Sequence, residues 1–209
     1  MDALGFLERM GIMAGGDVPA SNFATFTVVR DVGFLYIASM LLQSGLYDTD
    51  RKGGLWLGAD YWSTVWRGPL AGGPPQSATA GSLAAFMTLL TQNCLVSPEA
   101  SAGMRLLMQK VPNLTYPGTG SWFWNGLRQL RNFGSLKTVL AKVGLANGAD
   151  DYAFIEREAD AGGGKKIMLR YVAVGLRAQS GNDLEKLILE LDKCILANNG
   201  LTPAQGGHP

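Results

Sequence analysis

The sequence predicts an α+β fold in which a helical lobe is followed by a three-stranded antiparallel meander covered by a C-terminal helix. Three observations predict it. Between Leu136 and Leu176, three apolar runs are separated by turn chemistry at Ala146-Asn147-Gly148 and at Gly162-Gly163-Gly164, the pattern of strands joined as hairpins. Ahead of them, apolar residues recur at helical spacing. Behind them, Leu184, Leu187, Ile188, Leu191 and Ile195 line one face of a helix stopped by Asn198-Asn199-Gly200, and that face needs a sheet to bury it. The expected division is a mostly helical lobe over 1–135 with a long aromatic loop at 45–78, strands and a last helix over 136–200, and a flexible tail over 201–209.

Taken in order, Leu4, Leu7, Met10 and Ile12 stand near helical spacing before a break at Gly15-Gly16. Ser21 or Asn22 is suited to cap an apolar helix running to about Gln43, because either side chain accepts from the free amides of a first turn. Gly45 to Pro75, with Trp56, Trp62 and Trp66, reads as a long ordered loop, too aromatic for a linker and of a size often functional. Thr79 to Leu95 is a helix with Leu83, Phe86, Met87, Leu90 and Cys94 on one face. Ser97-Pro98-Glu99 opens the next, serine as cap and proline at the first helical position, and Pro112 ends it. A turn-rich loop, Asn113 to Gly120, leads into Ser121-Trp122-Phe123-Trp124 and a short helix through Leu130. The strands centre on Val139 and Lys142, on Tyr152 to Ile155 and on Ile167 to Val174, and Asn182 or Asp183 starts the final helix.

The 209 residues are 47% apolar and 17% charged, enough for one substantial core and against disorder. A net charge of +1 gives no electrostatic reason to expect nucleic acid or an anionic membrane as partner. The most apolar stretch, Val32 to Leu42, is about half the length a bilayer needs. No signal peptide is read at Met1-Asp2-Ala3-Leu4-Gly5, which lacks a basic start. Cys94 and Cys194 read as buried free thiols on helices, with a disulfide in an oxidising compartment as the alternative.

The single histidine, His208, lies in a Gly-Pro tail, which removes the base from any Ser-His-Asp or Cys-His mechanism. Two distant cysteines and that histidine make no zinc site, and no cofactor is expected. Gly164-Lys165-Lys166 lacks the Ser or Thr of a phosphate loop and sits between two strands, so it is a hairpin turn. A serine enzyme without histidine needs a lysine base, the logic of the Ser-x-x-Lys, Ser-x-Asn and Lys-Thr-Gly set.

Two of those elements have counterparts, Ala20-Ser21-Asn22 and Lys142-Val143-Gly144. Between them, Thr79-Ala80-Gly81-Ser82-Leu83-Ala84-Ala85-Phe86 and Leu95-Val96-Ser97-Pro98-Glu99 stand where two helices follow an active-site loop. With the final helix from Asp183, these residues resemble the penicillin-recognising serine hydrolases, the β-lactamases and D-Ala-D-Ala peptidases, over nearly the whole chain. The resemblance implies a partial β-lactamase-like fold and acyl transfer on a β-lactam or a D-Ala-D-Ala peptide. It also implies a periplasmic or secreted setting.

By that resemblance Asn22 holds a substrate amide, and Lys142 supplies positive potential near the nucleophile and the substrate carboxylate. The Leu145 amide is one oxyanion donor, Gly144 keeps the strand clear of a Cβ where substrate passes, and Trp66 contributes to the aromatic wall. Read without the resemblance, Asn22 is a helix cap and Lys142 a solvated edge-strand lysine. Ala20 and Val143 lack the hydroxyls of the family motifs, and no Ser-x-x-Lys occurs. The resemblance implies that the nucleophile helix and N-terminal strands lie outside a sequence with nineteen residues before Ala20. A missing N-terminal segment or a partner would then cover the sheet edge. The alternative is a non-catalytic module binding a cell-wall peptide or a protein on the same fold.

Overall fold

The computed structural model describes residues 18–59, 67–69, 72–74, 76–109, 120–130, 133–145 and 148–203. The expected first helix, Trp62, Trp66, Pro112 and the tail from 204 lie outside them. The chain is mixed α+β and divides into two compact units, Met1–Leu89 and Leu90–Pro209.

In the first unit, α1 (Val18–Val32) and α2 (Phe34–Gln43) replace the single helix expected. Gly33 divides them: its φ of 88° is open to glycine and strained for other residues, and the two axes bend by 84°. Ser21 and Asn22 fall inside α1 rather than at its cap, because the helix starts earlier, with Pro19 in the first turn where its missing N–H costs nothing. Among the described residues no single helix is long and apolar enough to cross a membrane, although the bent pair passes on length and composition together. The aromatic loop carries two short antiparallel ladders, β1 (Tyr47–Asp48) with β2 (Gly53–Gly54) and β3 (Trp56–Leu57) with β4 (Gln76–Ser77). Trp56 is buried against Tyr47, ring centroids 5.1 Å apart, and donates its Nε1–H to the Arg67 carbonyl at 2.9 Å. Leu46, Tyr47, Trp56 and Ala59 are thus buried residues around which the described part of the loop packs, while Asp50, Arg51, Lys52 and Arg67 stay exposed.

Helix α3 (Ala80–Thr91) buries Leu83, Met87 and Leu90. Cys94 lies beyond its end and is exposed, as is Cys194, so neither cysteine is the buried helical thiol expected. The loop that follows is tight. Val96 has φ 64° and its side chain in solvent, while the Ser97 N–H closes back on the Leu95 carbonyl at 2.8 Å. Helix α4 (Pro98–Met108) then starts as its residues require, with Ser97 Oγ accepting from the Ala100 N–H at 3.1 Å.

The sheet of the second unit is an antiparallel meander in the order β5 (Leu136–Leu145), β6 (Ala149–Asp160), β7 (Lys166–Ala178), with β8 (Thr202–Pro203) pairing the far end of β6. All three long strands exceed the apolar runs that announced them, since pairing extends into polar residues once a neighbour is present. Gly162, Gly163 and Gly164, all with positive φ, form the β6–β7 turn, closed by Ala161 N–H donating to the Lys165 carbonyl at 2.8 Å. Burial alternates strictly along β6: Ala149, Asp151, Ala153, Ile155, Arg157 and Ala159 face inward.

That face is covered by the short α5 (Trp122–Arg128) and by α6 (Gly181–Asn198). The approach is close: a Cβ on Gly175 of β7 would stand 2.4 Å from Leu184 Cδ2 and 3.2 Å from Phe123 Cζ. Helix α6 opens one residue before the expected Asn182, because Ser180 caps it and Asp183 completes a reciprocal capping box. Its core face is Leu184, Ile188, Asp192 and Leu196, while Leu187 is 46% exposed, contrary to the expected apolar stripe. The helix is rolled so that Asp192 points inward, ion-paired with the fully buried Arg157 and accepting from the Tyr171 hydroxyl at 2.7 Å. Arg157 also donates to Ser135 Oγ at 2.9 Å.

Candidate functional site

Lys142, Val143, Gly144 and Leu145 are consecutive on β5, whose alternation sends neighbouring side chains to opposite faces. Lys142 pairs with Tyr152, Val143 with Asp151 and Gly144 with Asp150. Among the described strands β5 pairs with β6 on one side only. Lys142 is half-buried and its ammonium folds onto the Val143 carbonyl at 2.7 Å. It is not the fully solvated edge lysine of the simplest reading. Burial pulls it below the ordinary lysine value, and the Asp151 charge pulls it partly back.

Gly144 is less constrained than the resemblance implies. A Cβ built there would meet Asp150 Cβ at 3.5 Å and Asp150 Oδ2 at 3.6 Å, ordinary contact distances. Whatever need there is for glycine at this position does not come from the fold. Ala20 and Asn22 lie in α1 of the first unit, with side chains outside the described residues, as is all of Trp66. The structure thus groups the four β5 residues.

The composition pattern did not single out Asp151 and Ser121. Asp151 is fully buried on the helix-covered face of β6. Its Oδ2 accepts from the Ser121 hydroxyl at 2.9 Å and from the Phe123 N–H at 2.8 Å, while Oδ1 has no hydrogen-bond partner among the described residues. Burial pushes this carboxyl up to about 7; the donors from Phe123, Ser121 and Trp122 and the Lys142 charge oppose the shift. A polar residue at an inward strand position, Asp151 amid Ala149, Ala153 and Ile155, is the signal that would have found it.

Val143, not Lys142, stands opposite Asp151, so strand alternation sends the Lys142 side chain to the other face of the sheet, and the fully buried carboxyl serves the seating of α5 rather than a ligand. Ser121 is not a nucleophile here: its hydroxyl is fully buried, donates to Asp151 and accepts from the Trp124 N–H at 3.0 Å. Among the described residues no group of His, Cys, Asp and Glu could hold a metal ion. Comparison of the chain with protein-family models, curated proteins and solved structures finds no match.

Proposed function

We propose that this chain is a relative of the penicillin-recognising serine hydrolases and carries the lysine-strand wall of an acyl-transfer cleft without a Ser-x-x-Lys nucleophile of its own. The observation that carries the reading is the half-buried Lys142 on a one-sided strand, two residues before a glycine, at the head of an antiparallel meander closed by a C-terminal helix. An ammonium group held on such a strand is a recognition point for a carboxylate, and a strand amide turned toward the ligand would serve an oxyanion.

In this reading Lys142 attracts the carboxylate of a β-lactam or of a D-Ala-D-Ala peptide, and the Leu145 N–H faces its carbonyl. Gly144 leaves room for it. Val143 and Ala20 stand where hydroxyls would assist acylation, so the chain as it stands binds without forming an acyl-enzyme.

The test is benzylpenicillin added to ¹⁵N-labelled protein, together with fluorescent-penicillin labelling of this chain and of the same reading frame extended upstream. Shifts of the Val143, Gly144 and Leu145 amides without covalent labelling of this chain are expected, with labelling confined to the extended form. Unmoved β5 amides at saturating penicillin would remove the reading.

A further inference from the structure

Helix α5 is a small piece whose seat on the sheet and on α6 is shaped by glycines. A Cβ on Gly181 would collide with the Trp122 indole, one on Gly126 would stand 2.6 Å from the Glu185 carbonyl oxygen, and one on Gly175 would stand 3.2 Å from Phe123 Cζ. Trp122 and Phe123 thus fill spaces that glycines leave, which gives the helix one close-packed position.

Under this seat lies a single carboxyl. Asp151 is fully buried, and its Oδ2 accepts from the Ser121 hydroxyl at 2.9 Å and from the Phe123 N–H at 2.8 Å, both at the start of α5. Its Oδ1 has no hydrogen-bond partner among the described residues. A carboxylate cut off from solvent with one oxygen unserved is disfavoured against the neutral acid.

The surrounding charges do not reverse this. On β5, Val143 stands opposite, and Lys142, on the other face of the sheet, is the one charged residue whose field favours the carboxylate. On β7, Gly175 stands opposite, and the Arg177 N–H goes to Asp150. On α5, Arg128 lies exposed in the last turn. On α6, Asp183 is held in the Ser180 capping box, Glu185 accepts from Gln129, and Lys186 is exposed. Burial outweighs the helix donors and Lys142 together, and the acid is pushed up to about 7.

We propose that α5 is a pH-sensitive latch, seated on the sheet while the Asp151 carboxyl is neutral and released locally as that carboxyl ionises. Lifting the first turn of α5 lets water reach the carboxylate and leaves the β5–β6–β7 ladders paired, a local opening rather than unfolding. It uncovers Phe123 and the Gly175 floor beneath, so the device gates access to the helix-covered face of the meander. With α5 released the acid returns to its ordinary value of 3.8, and the opening constant rises about tenfold per pH unit from there to about 7, then levels. The latch is independent of the reading of Lys142 as a cation for penicillin.

The experiment is amide hydrogen exchange by NMR on the wild type and Asp151→Asn from acid to mildly basic pH, corrected for intrinsic exchange and repeated in urea below the unfolding transition. The reporters are the Phe123, Trp124 and Asn125 amides of α5 against the Ala153 and Ile155 amides of β6. In the wild type the α5 amides should open more often than those of β6, without urea dependence and with the stated rise with pH. In Asp151→Asn the rise should vanish. Exchange of α5 amides with the urea dependence of β6 would show that α5 leaves only on global unfolding, and a flat wild-type pH profile would show that ionisation does not release it; either overturns the proposal. Both outcomes are read on the wild type, so a variant that fails to fold leaves the test decided. No penicillin is present, so the latch and the hydrolase kinship fail separately.

Discussion

The Ser121 hydroxyl donates to Asp151 at 2.9 Å while accepting from the Trp124 N–H at 3.0 Å, so one side chain caps α5 and ties it to β6. Thirty residues separate the two partners. Their bond decides how a two-turn helix, too short to hold its shape alone, is seated on the sheet.

Ser121→Ala removes the cap and one donor to the carboxylate together. A loss of about 1–3 kcal/mol is expected, read as the shift in urea midpoint at constant slope. Ser121→Thr, which keeps the hydroxyl, should recover most of it. A full-stability alanine variant would show that the bond is idle.

Stability should also fall with rising pH in a definite window. Burial lifts Asp151 from 3.8 to about 7, so between those values the folded chain binds more protons than the unfolded one, and unfolding becomes easier as pH rises. The loss is complete just above about pH 7 and is on the order of 4 kcal/mol at 1.36 kcal/mol per pH unit. Asp151→Asn should flatten that slope, so the wild-type and variant urea midpoints converge or cross as pH changes. Parallel curves would contradict the assignment.

At the other end of the sheet, Asp192→Ala leaves the buried Arg157 without its ion pair and the Tyr171 hydroxyl without its acceptor. A cost of about 3–5 kcal/mol is expected from an uncompensated buried charge. The pair Arg157→Met with Asp192→Leu should be far milder than either single change, which a double-mutant cycle by thermal unfolding measures directly.

Two glycines of the sheet should behave oppositely. Gly175→Ala forces a Cβ to 2.4 Å from Leu184 Cδ2 and should cost about 1–3 kcal/mol through overpacking. Gly144→Ala meets only ordinary contacts and should leave stability unchanged. If a ligand passes along β5, the same substitution should weaken penicillin-induced amide shifts, and the comparison separates a folding glycine from a binding one.

Much of the architecture was legible in local chemistry. The triple-glycine turn, the Ser97-Pro98 start of α4, the Asn-Asn-Gly stop of α6 and the helices-then-meander order all follow from preferences of residues close in sequence. Even the lysine strand was marked. What local pattern could not supply was the fate of polar residues at inward positions. Asp151, Arg157 and Asp192 read as surface until a distant segment brings Ser121, Ser135 or Tyr171 to satisfy them. A buried charge is tolerated only when such partners arrive, and their arrival is a property of the packed sheet. For the same reason α6 turned Asp192 inward and left Leu187 in solvent: the helix is rolled to meet Arg157, which hydrophobic periodicity alone does not register.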